Sequence, residues 1–177
     1  MQTNRCSKPV ARRTWFFVAV ISCLFAGQAC ASFHQMQIEE VIGGVNGDTT
    51  AQAIQLRMRA AGENLVNGAQ LIAVDAAGNN PVVVATLTSN VSSGAGKRIL
   101  LATASFSNYQ TTPVTADFTM DNPIPASYLA AGRLRYQLGS AIYWSVSWGG
   151  SAYTGPNTGT TDNDTDGNFG PPFAGAL

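Results

Sequence analysis

Arg133 to Trp148 reads RLRYQLGSAIYWSVSW, and this stretch decides the fold class. Leu134, Tyr136 and Leu138 alternate with Arg133, Arg135 and Gln137. A strand sends successive side chains to opposite faces, so one face is apolar and the other polar. Gly139-Ser140 then offers a two-residue turn that suits the natural twist of paired strands. Ile142, Trp144, Val146 and Trp148 alternate with small and polar residues and form a second apolar stripe. The whole is predicted to be a β-hairpin with one face turned to a core.

The same period recurs upstream. Met36 and Ile38 alternate with polar neighbours, and the pattern slips at Glu39-Glu40 before Val41-Ile42, which predicts a bulge. Gly43 to Asp48 reads as a loop. Ile54, Leu56 and Met58 alternate with Gln55, Arg57 and Arg59. Leu71 to Asp75 is a short strand, ended by Ala76-Ala77-Gly78-Asn79-Asn80-Pro81. Val82 to Leu87 is almost wholly apolar and β-branched, which predicts burial on both faces. Asn90 to Gly96 is a loop, and Arg98 to Ala104 another apolar strand. Residues 107–127 carry Pro113, Pro123 and Pro125 and read as an irregular crossing with one short strand near Phe118. Ser127 to Ala131 suits one helical turn. No repeat is visible. The expectation is an all-β, antiparallel β-sandwich over 33–150, with a loop-rich extension over 151–177 that Trp148, Tyr153 or Phe169 could pin. The sequence stops at Phe173-Ala174-Gly175-Ala176-Leu177 without a recognisable closing strand, which suggests a piece of a longer protein.

Residues 1–31 read as a targeting segment. Arg5, Lys8, Arg12 and Arg13 precede an apolar run from Trp15 to Ala26, and Ala29-Cys30-Ala31 supplies the small residues of a cleavage site. A run of about a dozen apolar residues is too short to cross a bilayer that needs about 20. Cleavage is therefore expected after Ala31, giving a secreted or cell-surface product without a membrane span. Val20-Ile21-Ser22-Cys23 also resembles a bacterial lipobox, and lipidation at Cys23 is the minor alternative. Arg12-Arg13 resembles a twin-arginine signal, a pair also common in ordinary leaders.

Cleavage would remove Cys6, Cys23 and Cys30, leaving no disulfide or thiolate chemistry. A chain of about 145 residues can bury enough surface without disulfides. Four of the ten Lys and Arg leave with the leader, so the remainder carries 10 − 4 − 10 = −4. That balance disfavours nucleic acid and anionic membrane as partners.

One local motif carries chemistry. Asp162-Asn163-Asp164-Thr165-Asp166-Gly167-Asn168 places carboxylates at alternate positions before a glycine. On a curling loop such carboxylates converge on one hard cation. Position twelve of an EF-hand counted from Asp162 is Phe173, and Pro171-Pro172 exclude a following helix, so the motif is not an EF-hand. It reads as a helix-free calcium loop with Asp162, Asp164 and Asp166 as side-chain ligands and Asn168 through its carbonyl. The competing reading is a solvated acidic turn.

Other candidates are weaker. His34 is the single histidine, too few for a zinc site, and no G-x-S-x-G elbow exists. Gly94-Ala95-Gly96-Lys97 lacks the earlier glycine of a phosphate loop and suits a strand connection. Glu39 and Glu40 do not make the carboxylate pair of a glycosidase. The pairs Arg57/Arg59 and Arg133/Arg135 fit solvated polar faces. Tyr143, Trp144, Trp148 and Tyr153 fit a core, or alternatively a stacking surface for sugars in a carbohydrate-binding module. No catalytic constellation is visible, and a secreted hydrolase is the least favoured class.

Ile38-x-Glu40-Val41, then Ile54-Gln55-Leu56, then Leu65-Val66-Asn67-Gly68-x-x-Leu71 resemble the motifs of the lamin-tail domain. The strand at Arg98 to Ala104, the hairpin and Ser145-Val146-Ser147-Trp148-Gly149 are similar to that family's closing strands. The resemblance spans roughly 37–150. It departs at Gln55, where an acidic residue is usual, at Met58-Arg59, where an asparagine is common, and at Ala69, where an aromatic often follows. It implies an immunoglobulin-like sandwich, secreted or surface-attached, serving in binding or attachment to an extracellular or cell-surface ligand.

Overall fold

The computed structural model describes residues 35–157 and 172–177. Among these residues eight strands form two four-stranded sheets. The strands are β1 (Met36–Ile42), β2 (Ala53–Met58), β3 (Gln70–Val74), β4 (Val82–Thr86), β5 (Arg98–Ala102), β6 (Phe118–Thr119), β7 (Gly132–Leu138) and β8 (Ala141–Trp148). The first sheet has the order β1-β2-β5-β6 and the second β4-β3-β7-β8. The chain is thus an all-β sandwich. Its pairs are antiparallel except β5 with the two-residue β6, which run parallel.

The bulge expected at Glu39-Glu40 is present. Ile38 pairs with Leu56 and Glu40 with Gln55, so Glu39 is the extra residue. The hairpin register also follows the alternation: Leu134 faces Val146, Tyr136 faces Trp144, and Leu138 meets Ala141 across the Gly139-Ser140 turn. A further slip, between Tyr136 and Gln137, leaves Ile142 opposite Gln137 and half-buried, so it departs from the apolar stripe that the alternation predicted.

The core takes the inward residues of both sheets. Met36, Ile38, Ile54, Leu56 and Met58 come from one side, and Leu71, Leu134, Tyr136, Trp144 and Trp148 from the other. Each large side chain buried this way contributes about 1.5–3 kcal/mol. Trp148 is 2% exposed, and its indole N–H donates to the Tyr128 carbonyl at 2.8 Å. The helical turn expected near Ser127 is a 3-10 turn at Ala126–Tyr128.

One expectation fails at β4. Val82, Val83 and Thr86 are only half-buried, because β4 is the outer strand of its sheet and has one covered face. Apolar, β-branched composition marks a strand but does not show where it sits in the sheet.

The two joints of the sandwich are built differently. Beyond β6, the Asp121 and Asn122 N–H groups donate to the Val84 carbonyl at 2.9 and 3.3 Å, and the Asn122 amide donates to the Val83 carbonyl at 2.9 Å. That stitches the crossing chain to β4. At the opposite joint the outer strands β1 and β8 lie against each other, and residues 172–177 run alongside. Where the sequence suggested no closing strand, Phe173 forms a parallel bridge with Trp148.

Candidate functional site

The acidic motif Asp162, Asp164, Asp166 and Asn168 lies outside the described residues, as do His34, Phe169 and the whole of 1–31. Among the described residues no three His, Cys, Asp or Glu side chains are grouped as a metal ion would need. No helix among them is long and apolar enough to cross a membrane.

Tyr143, Trp144, Trp148 and Tyr153 are all buried. Their positions follow from the register: Trp144 and Trp148 lie opposite the inward-facing Tyr136 and Gly132. The Arg59 guanidinium covers what remains of the Trp144 face, 5.7 Å from the ring centre. No ring of this set offers an open face to a planar sugar.

A groove of about 760 Å³ lies at the β1–β8 joint. Val41 and Glu40 line it from β1, Trp144 and Val146 from β8, and Phe173 and Leu177 from the terminal segment. It is mainly apolar, and both flanking strands are outer strands. Such strands present unpaired backbone N–H and C=O groups.

The polar networks around the sandwich are devoted to its own backbone. Gln52 is fully buried and clamps Ile124 by accepting from its N–H at 2.6 Å and donating to its carbonyl at 2.9 Å. Its Nε2 also donates to the Thr49 carbonyl at 2.7 Å. The Asp48 carboxylate accepts from the Thr50 hydroxyl at 2.6 Å, the Thr50 N–H at 2.9 Å and the Tyr109 hydroxyl at 3.1 Å. These bonds, the Thr50 hydroxyl foremost, hold its pKa below the usual carboxylate value. Asp75 does the same for the turn after β3, accepting from the N–H groups of Asn79 and Ala77 and from the Asn80 amide. Its pKa is lowered chiefly by the Asn79 N–H.

On the outer face of the first sheet Glu39 accepts two bonds from Arg98, at 2.6 and 3.0 Å, and one from the Gln55 amide at 2.8 Å. Arg57 stands 3.6 Å away. The Arg98 bond is the main reason the Glu39 carboxyl sits below its ordinary value. The bulge therefore has a use: it brings an extra carboxylate beside two arginines. Glu40 sits opposite Gln55 and is exposed.

The outer face of the second sheet differs. Arg133, expected in solvent, is 2% exposed. Its guanidinium donates to the Pro156 carbonyl at 2.7 Å and to the Ser145 hydroxyl at 3.0 Å. Residues 153–157 lie across this face. The Tyr153 hydroxyl donates to the Pro156 carbonyl at 2.9 Å, and Thr154 and Gly155 donate to the Ala76 carbonyl at 2.7 and 3.1 Å. The Ser147 hydroxyl meets the Asn157 side-chain carbonyl at 3.0 Å. Burial pushes the Arg133 pKa down, with the Tyr153 hydroxyl opposing, and pushes the Tyr153 pKa up, with Arg133 opposing.

One of these features had no local signal in the sequence, and the other only the aromatic expected to pin the tail. The Gln52 clamp joins residues 72 positions apart. The cover at Tyr153 and Pro156 sits in a stretch of Gly, Thr and Asn that reads as loop; a lone aromatic followed by proline is its sole trace. No protein-family model matches this sequence, and no curated protein matches it.

Proposed function

We propose that this chain is a non-catalytic structural and binding module, exported and displayed outside the cytoplasm, with a lamin-tail-like, immunoglobulin-related sandwich steadied by calcium. The observation that carries the binding part is the apolar groove where the outer strands β1 and β8 meet. A rigid two-sheet frame presenting a strand-edged groove suits recognition of another chain. The buried polar groups Gln52 and Arg133 are occupied in holding backbone, which supports a structural role for them. Export rests on the leader-like order of residues 1–31 and calcium on the spacing of Asp162, Asp164 and Asp166.

The test of export is the mass of the product recovered from a secreting bacterial host. A mature chain starting at Ser32 is expected. Retention in the cytosol with residues 1–31 attached, or a lipid on Cys23, overturns that part. The test of the metal is thermal unfolding with and without calcium. A rise in melting temperature at about 10 mM calcium, the scale of weak extracellular sites, is expected, and Asp164→Ala should abolish it. An unchanged melt removes calcium from the proposal.

The alternative as a carbohydrate-binding module gains nothing from the aromatic residues at 143–153, which are buried in the core or, at Tyr153, beneath the cover of the outer face.

A further inference from the structure

Residues 172–177 are seated at two points. At the first, the Phe173 N–H donates to the Ser147 carbonyl at 3.0 Å, the Gly150 N–H donates to the Phe173 carbonyl at 2.8 Å, and the Gly149 N–H donates to the Gly175 carbonyl at 2.9 Å. These bonds frame a one-residue parallel bridge between Phe173 and Trp148, on the outer edge of β8 at its last residue. At the second, four residues on, the Leu177 N–H donates to the Leu129 carbonyl at 3.0 Å and the leucine packs against the core. Gly43 makes room for it. A Cβ there would stand 2.7 Å from the Leu177 Cβ and 3.1 Å from the Leu129 Cδ2.

Between the two seats the segment holds little. Ala174, Gly175 and Ala176 are exposed, and Phe173 is 68% exposed. Four backbone bonds and one half-buried leucine form a small cooperative unit. A segment with few buried contacts opens at far lower free energy than the sheets it rests on. When it opens, the carbonyl of Ser147, the N–H groups of Gly149 and Gly150, and the hollow between Gly43 and Leu129 become available together. An outer strand with free backbone groups beside a side-chain hollow is the usual arrangement for strand addition, in which backbone gives affinity and the hollow gives selectivity.

We propose that this seat is a strand-docking site for an extended peptide whose aliphatic residue, four positions after the one that bridges Trp148, fills the hollow, and that residues 172–177 occupy it in cis as a detachable strap. Leu177 is the latch and Gly43 its socket. This goes beyond the general binding role, since it fixes where the chain binds, what backbone form it accepts and what competes for the site. It does not depend on export or calcium.

The experiment uses a fluorescent peptide of the sequence Pro-Phe-Ala-Gly-Ala-Leu, added to the intact chain and to a variant lacking residues 172–177. The strap lowers apparent affinity by the fraction of time the seat is open. The peptide is expected to bind the deletion variant at least about tenfold more tightly than the intact chain. Replacing its last residue by alanine should abolish the binding. Equal affinity for both proteins, or no binding to a folded deletion variant, overturns the proposal. Should the deletion variant fail to fold, Gly43→Ala in the intact chain decides. Faster amide exchange at Gly149, Gly150 and Phe173, with exchange in β2 and β7 unchanged, supports the latch; exchange unchanged at those three amides refutes it.

Discussion

The outer faces of the two sheets began with the same sequence signature and ended in opposite states. On the first, Arg57 and Arg98 surround Glu39 in solvent. On the second, Arg133 is sealed beneath residues 153–157. Arg57 and Arg133 each stand at an alternate, polar position of an amphipathic strand, β2 and β7. The difference is what comes next along the chain. After β2 the backbone leaves through the turns at 59–68, while after β8 it folds back over its own sheet. A guanidinium can serve either situation: exposed, it pairs with a carboxylate, and buried, it must give its N–H groups to carbonyls and hydroxyls. The comparison teaches that alternation identifies the apolar side of a strand and leaves the fate of the polar side to the connections.

If the covered face is a working part of the fold, breaking it should be costly. Arg133→Ala leaves the Pro156 carbonyl and the Ser145 hydroxyl without this donor. The expected loss is about 2–3 kcal/mol, the scale of a buried bond to a charged group, measured by denaturant unfolding. Arg57→Ala on the open face should stay within the roughly 0.5 kcal/mol scatter of surface substitutions. Similar losses at the two positions would refute the contrast.

Next in size is Gly78→Ala. Gly78 has φ +77°, and a Cβ there would stand 2.6 Å from the Pro156 ring and 3.1 Å from Gly155. The substitution combines backbone strain with displacement of the cover, and about 1–3 kcal/mol is expected. Protease cleavage near 153–157 should accelerate, which separates loss of the cover from general loosening.

How much of this was readable beforehand follows the range of each signal. Period two gave the hairpin from Leu134 to Trp148 and the strand at Ile54, Leu56 and Met58. The slip at Glu39-Glu40 gave the bulge, because a bulge leaves its mark within two residues. The outer position of β4 was not readable, since a run of valines looks the same at the centre of a sheet and at its rim. Nor was the groove, whose walls come from β1, β8 and residues 172–177, three segments distant in sequence. The acidic motif was readable from the spacing of Asp162, Asp164 and Asp166 alone.

The two faces should also fail at opposite ends of the pH scale. On the covered face burial raises the pKa of Tyr153, and in the core that of Tyr136 is pushed far above the usual range. Both keep their protons in the folded chain when the unfolded chain begins to lose them near pH 10.0. The folded state then binds more protons than the unfolded one, so stability falls as pH rises past that point. Tyr153→Phe, which removes one of the phenols whose pKa folding raises, should make the alkaline decline less steep.

The smallest effect belongs to the open face. The Glu39 pKa is lowered from 4.5. Its contribution is complete above that value and disappears as pH falls through the lowered one, because the unfolded state takes up the proton first. Arg57 and Arg98 are about half exposed, with side-chain exposures of 47% and 52%, so water and salt screen the cluster. Comparison of wild type with Glu39→Gln isolates this carboxylate from Asp48 and Asp75, which also titrate low. The difference should be small at neutral pH, shrink further with added salt, and vanish in acid. A difference that grew with salt, or that persisted at a pH where Glu39 is protonated, would mean that the bulge positions this side chain for packing and not for its charge.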